Sequence, residues 1–446
     1  MDKLSVNTSA KDIIKLALPI SIALLIPQIN IFANNIFMDR LGERELGVNG
    51  ITGVFYLILS MIGYGLSSGI QIQMARRAGE ENRKGITETL MNGLMLSLMF
   101  SLFLMLITLW VVPLLFGYSL SDPENFALSV KFVFVRVWGL PFLMFTQIIN
   151  AFFISIGKSR FLIYGSIAFT LTNVLLDYTL IFGQWGMPNL GFQGAAVSST
   201  IAEIAYFITM VGCFVGNKMH KDYPVTRYIT FDYDYSIQSL KVAAPLIVQF
   251  MFSIGGWLVF FFLIEHLGKS ALAGSQILRG MFGIIGVGTW ALATTCNTMV
   301  SNLMGQGKAN HVMSIVKKIS KLSLMYTVIV CAVIALFPHQ FLGLYTDKVA
   351  LIEYTVPSLR AILLSTLIMS VSTVAFNGVV GTGNTLINLS IEITCVALYL
   401  VYCYLVIYRW KADLSLCWMS EFVYWLSLII LSGFYLRSGR WKGKVI

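Results

Sequence analysis

Asn173 and Asp177 stand four residues apart in the run Leu171-Thr-Asn-Val-Leu-Leu-Asp-Tyr-Thr-Leu-Ile-Phe-Gly183, where every neighbour is apolar or hydroxylic. At that spacing a helix stacks the two side chains on one face. A carboxylate carried into apolar surroundings is costly in its charged form, and inside membrane segments it usually marks an ion or substrate path. The amide beside it offers both a carbonyl oxygen and an N–H, which suits a small cation or a protonated carboxyl. Proton or cation exchange is therefore the chemistry expected of this stretch. Enzymatic chemistry is not expected: there is no Walker loop, HExxH or GxSxG, and His220, His266, His311 and His339 form no cluster. No cofactor is implied.

Such a pair needs a scaffold that keeps water away, and the composition supplies one. Apolar residues make up 57% of the 446 and charged residues 12%, with a mean hydropathy of +0.78, whereas a soluble domain carries roughly 25% charge. The chain reads as an all-α integral membrane protein. A spanning helix takes about 20 residues, which leaves room for about twelve, and the apolar runs are too long and too free of alternation for barrel strands. Asp177 lies in the fifth run, 161–183, and the sixth, 191–215, follows a turn rich in glycine (Gly183, Gly186, Gly191). Residues 1–14 lack the basic start and cleavage site of a signal peptide, so the first run, 12–38, is expected to remain as a membrane helix.

The formal charge of +10 is dispersed over short connections, which excludes a nucleic-acid surface. With the N-terminus placed in the cytoplasm, 21 of the 31 Lys and Arg fall on that side, among them Arg76, Arg77, Lys158, Lys221 and Lys318. The positive-inside rule thus puts both termini in the cytoplasm, with the protein in the plasma (inner) membrane. Cys213, Cys296, Cys331, Cys395, Cys403 and Cys417 have no metal-ligand spacing and read as small core residues.

The longest polar connection, 216–236, divides the chain into an N-terminal lobe, 1–215, carrying the cation site, and a C-terminal lobe, 237–446. The halves repeat at an offset of 226 residues: Lys15-Leu-Ala-Leu-Pro19 meets Lys241-Val-Ala-Ala-Pro245, Asp39-Arg-Leu-Gly42 meets Glu265-His-Leu-Gly268, Gly79 meets Gly305, and Gly157-Lys-Ser159 meets Gly383-Asn-Thr385. Six spans in each half make both enter from the same side, a parallel repeat of two six-helix lobes with a cleft between them.

These features resemble the multidrug and toxic compound extrusion (MATE) transporters, within the larger group that includes lipid-linked oligosaccharide flippases. The resemblance rests on Asp177 through Gly183, Gly186, Pro188, Leu190-Gly191 and Gly194-Ala-Ala196, supported by Pro19, Met304-Gly-Gln-Gly-Lys308 and Gly378-Val-Val-Gly-Thr-Gly-Asn-Thr385. It implies twelve helices and cation-driven export. The nearest branch is the DNA-damage-inducible (DinF-like) one, whose N-lobe site joins an Asp on the first helix to an Asn and an Asp on the fifth. Asn173 and Asp177 match the second element, but Asn34 stands where the branch has its first Asp. The C-lobe acids of another branch fall at Ser253 and Met369, so no coupling acid is expected there.

Further candidates follow from residue type. Ser199 and Thr200 on the sixth span could add a hydroxyl to the cation site, although hydroxyls in membrane helices often bond their own backbone. Pro19 and Pro27 permit kinks and read as marks of a gating helix. Gln28, Asn30, Gln147, Asn150 and Gln249 could line a substrate cleft, and core packing explains them as well. Glu203, Glu392 and Glu421 read as structural acids, with Glu203 the strongest alternative proton site; Arg136 reads as snorkelling from an outer helix end.

The expectation is a cation-coupled antiporter of small amphipathic or cationic compounds, working as a monomer by alternating access. The alternative is a flippase of a lipid-linked sugar or lipid. A single acid suffices for proton coupling, whereas a sodium ion, the one metal the site would hold, would need Asp177 with oxygens from Asn173, Asn34 and Ser199.

Overall fold

The computed structural model describes residues 3–228 and 232–444. Among the described residues, twelve helices are long and apolar enough to cross a membrane: α1 Ala10–Leu41, α2 Glu43–Gly79, α3 Arg83–Ser119, α4 Pro123–Ser155, α5 Phe161–Phe182, α6 Phe192–Gly216, α7 Tyr233–Glu265, α8 Lys269–Gly305, α9 Ala309–Leu336, α10 Val349–Gly381, α11 Thr385–Arg409 and α12 Leu414–Ser438. Large apolar side chains face outward, Trp110 at 78% and Leu106 at 62% exposed. That pattern suits a lipid solvent, in which helices satisfy their own backbone polar groups. The protein is an all-α, multi-pass membrane protein of two six-helix lobes.

By packing, the chain forms two compact units. One comprises Ile22–Ile247 and the other Met1–Ser21 with Val248–Ile446. The unit boundaries fall inside α1 and α7 rather than in the polar connection. Within the first unit that connection is anchored: Ser236, nearly fully buried, donates to Asn92 Oδ1 at 3.1 Å and Ser239 to Gln73 Oε1 at 2.9 Å. Within the second unit a core gathers around Phe260, Tyr399 and Trp418, and the N-terminal segment is tied to the end of α8, where Val6 N–H donates to Asn302 Oδ1 and Asn302 Nδ2 to Leu4 O, each at 3.0 Å.

Local chemistry explains the interruptions that matter for the site. α4 tightens into a 3₁₀ stretch at Val137–Gly139, immediately before Pro141, which lacks an N–H and crowds the preceding turn. α5 ends on Gly183 in the left-handed conformation, φ 66°, as a helix-ending glycine does. The returning turn is pinned by Leu190 N–H donating to Leu180 O at 2.8 Å. α6 then packs close on α5: a Cβ at Gly194 would stand 2.8 Å from the Leu180 carbonyl carbon and oxygen. Glycine there is what brings the two helices together.

Candidate ion-coupling site

Close approach of α6 places Ser198, one turn after Gly194, over the fully buried Asp177. The Ser198 hydroxyl donates to Asp177 Oδ1. Asn173, one turn earlier on α5 and also buried, donates through Nδ2 to Ser198 Oγ at 3.3 Å and Ser199 Oγ at 3.2 Å. Its own Oδ1 is buried with no partner among the described residues. From α1, Asn34 Nδ2 donates to Asp177 Oδ2 at 3.4 Å, and Asn34 Oδ1 in turn accepts from Asn49 Nδ2 of α2 at 3.2 Å. Among the described residues no Lys, Arg or His lies within ion-pair distance of Asp177.

Asn34, Asn173, Asp177 and Ser199 are thus brought together, and two differences from the sequence expectation have physical causes. Asn34 presents an N–H, because its oxygen is taken by Asn49. Thr200 lies one residue further round α6 and turns away from the acid, its hydroxyl bonding Ala196 O at 2.9 Å and Val135 O at 3.4 Å. Ser198 and Asn49 are site residues that the sequence reading misses. The signal for Ser198 is its four-residue spacing from Gly194, which puts it on the contact face.

Glu203, also on α6, lies in a different environment. Its Oε1 is 2.9 Å from Arg136 Nη1, Tyr56 OH donates to both oxygens at 3.0 and 2.9 Å, and the guanidinium sits 3.9 Å from the Tyr56 ring centroid. Gly139 makes room, since a Cβ there would fall on the Glu203 carboxylate. Arg136 therefore does not snorkel; it is a buried counter-ion. Asp177 forms no direct ion pair among the described residues, and Arg136 acts on it only at longer range.

The remaining candidates lie apart from the acid, several of them in polar contacts of their own. Pro27 has no N–H for the carbonyl four residues earlier, Ala23 O, and Ser166 Oγ of α5 donates to that oxygen at 2.9 Å. Ser166 lies 3.5 Å from Tyr206 OH, which accepts from Asn150 Nδ2 at 3.1 Å. Gln147 Nε2 donates to Ser60 O at 3.1 Å. The Oε1 of Gln147 and the Oδ1 atoms of Asn30 and Asn150 are buried without partners. Gln28 and Pro19 are half-buried on α1. In the other unit, Gln249 of α7 accepts from Asn388 Nδ2 at 2.7 Å.

The family model described as MatE matches residues 19–179 and again 245–405. Both matches begin at a proline, Pro19 and Pro245, and they are offset by the 226 residues of the internal repeat. Among curated relatives, the "Probable multidrug resistance protein NorM" of a Synechocystis species is 24% identical over 352 residues, 77% of this chain and 75% of that one. The protein of the same name from Thermotoga maritima is 21% identical over 440 residues, 98% and 94% of the two chains. A solved structure titled as the outward-facing conformation of a multidrug resistance MATE family transporter superposes with a TM-score of 0.88 at 17% identity, covering 96% of this chain and 95% of the other.

Proposed function

The chain belongs to the MatE family, and from that premise we propose that it is a secondary active exporter of small amphipathic or cationic organic compounds. Export by alternating access is driven by cation exchange at Asp177. The observation that carries the coupling is the pairing of a fully buried carboxylate with a buried Asn173 oxygen where, among the described residues, the first has no direct ion pair and the second no hydrogen-bond partner. Such an acid changes its bound charge at a cost set by its surroundings. The named activity of the relatives supports the substrate class.

The coupling ion of this reading is the proton. Asp177 already accepts from Ser198 and Asn34, and Asn34 turns an N–H rather than an oxygen toward it. One carboxylate ringed by donors suits protonation better than coordination of a sodium ion. Asn173 and Asp177 support a reading of the chain as nearest the DNA-damage-inducible branch, with Asn34 as its departure. The exporter resides in the plasma membrane as a monomer, with both termini cytoplasmic. The polar groups of Asn30, Gln147 and Asn150 face the substrate path.

The test compares cells carrying the intact protein with cells carrying Asp177→Asn, across a panel of cationic dyes and fluorescent lipids. Lower dye accumulation with the intact protein, and unchanged lipid distribution, is the expected outcome. Lipid movement without dye export would replace the exporter by a flippase.

A further inference from the structure

The second unit buries an acid–amide pair of its own. Asn388 and Glu392 are four residues apart on α11, the repeat counterpart of α5, and both are fully buried. They sit eleven residues before the positions that the 226-residue offset assigns to Asn173 and Asp177, Tyr399 and Cys403. The pair therefore escapes a search for repeated sequence.

Its neighbours come from the helices that correspond to those around Asp177. Ser253 Oγ of α7 and Tyr424 OH of α12 both donate to Glu392 Oε1, the second at 2.9 Å. At the repeat offset Tyr424 stands where Ser198 stands, so the last helix of each half supplies a hydroxyl to the acid from the same position. Asn388 Nδ2 is engaged by Gln249 Oε1. That leaves two buried oxygens without partners among the described residues, Glu392 Oε2 and Asn388 Oδ1. Two acceptors on one helix face with nothing to accept are costly.

We propose that Glu392, with Asn388 and the hydroxyls of Ser253 and Tyr424, forms a second proton-exchange site within the C-terminal half. A proton on Oε2 turns that atom into a donor and so gives the bare acceptors the hydrogen they lack. An alkali ion needs several oxygens at once, whereas the hydroxyls of Ser253 and Tyr424 are turned inward as donors. Ser253 and Tyr424 are each half-buried. Each hydroxyl can both donate and accept, so they form the route by which a proton reaches the enclosed carboxylate. The titratable groups that interact with it are Tyr424 of α12 and Cys395 of α11, while Glu421 of α12 and Tyr399 of α11 neighbour Tyr424. Glu421 is held by Trp425 Nε1 at 2.9 Å, and no basic residue forms an ion pair with Glu392 among the described residues. The site lies wholly in one unit and does not depend on the reading of Asp177.

The test is infrared difference spectroscopy of purified full-length protein in lipid, across a pH titration in sodium-free buffer, with Asp177→Asn as background. A carboxylic C=O band that appears and disappears with pH is expected in D177N, and its loss is expected in D177N/E392Q. Superimposable carboxyl spectra of the two proteins at every pH would overturn the proposal. So would a Glu392 band that never changes with pH, which marks a fixed neutral acid. A band abolished by added sodium at constant pH would assign the site to that ion instead. If E392Q does not yield monodisperse protein, Glu392→Asp must shift the same band, and an unmoved band again refutes the assignment.

Discussion

Arg136→Met removes the ion-pair partner of Glu203 while keeping most of the side-chain length. The pair is enclosed, the side chains being 13% and 4% exposed and the charged atoms 2.9 Å apart. Two unit charges at about 4 Å interact by about 4 kcal/mol at an effective dielectric near 20. Breaking one side of a buried pair costs about 3–5 kcal/mol, because a bare charge is left behind. For a unit of this size each kcal/mol moves the melting temperature by roughly 2–4 °C, so a fall of roughly 10 °C is expected. The assay is thermal unfolding in detergent micelles, read by intrinsic fluorescence and by the surviving monodisperse fraction. Arg136→Met/Glu203→Gln removes both charges and should recover most of the loss. An undisturbed melting temperature in the single variant would refute the buried-pair reasoning. Export that survives in the double variant would separate Glu203 from coupling, whereas loss of coupling there would make Glu203 an exchanging acid.

Ser198→Ala removes a donor to Asp177 and an acceptor for Asn173; a hydrogen bond to a charged group is worth about 1.5–3 kcal/mol, so export in vesicles should shift its pH dependence. Thr200→Val, on the same helix but bonded to backbone, should leave the pH profile in place. For orientation, a single cysteine at exposed Lys221, in a background lacking the six native cysteines, should be labelled only from the cytoplasmic side. Labelling of intact cells by an impermeant reagent would reverse the proposed topology. Ser236, in the same connection, is too buried to report on it.

The twelve helices and the α5–α6 pair were legible because hydropathy and small-residue spacing are properties of local sequence. Asp177 was legible because a carboxylate is costly to hold in an apolar run and is seldom there for packing. What stayed hidden depends on helix phase and on neighbours distant in sequence. One residue is about 100° of helix rotation, so the two steps from Ser198 on the acid to Thr200 carry the side chain about 200° round the helix, and Thr200 turns away. Arg136 and Glu203, on separate helices, meet only because α4 and α6 lie side by side and Gly139 leaves space. The direction in which Asn34 presents its amide is set by Asn49, fifteen residues on. Glu392 has the sequence signature of an acid near a helix end, and it is enclosed because α7 and α12 cover it. The phase of a helix could be inferred from Gly194, but no local pattern announces a partner on another helix.

In the proposed mechanism, a proton exchanged at Asp177 drives export. The direct measurement is substrate export by purified protein in sealed vesicles, with a pH gradient in sodium-free buffer set against a sodium gradient at uniform pH, for the intact protein and for Asp177→Asn. Export under the pH gradient alone is expected, reduced in the variant to the level of protein-free vesicles while its melting temperature shows a folded protein. Export driven only by sodium, or full pH-driven export by Asp177→Asn, would contradict it.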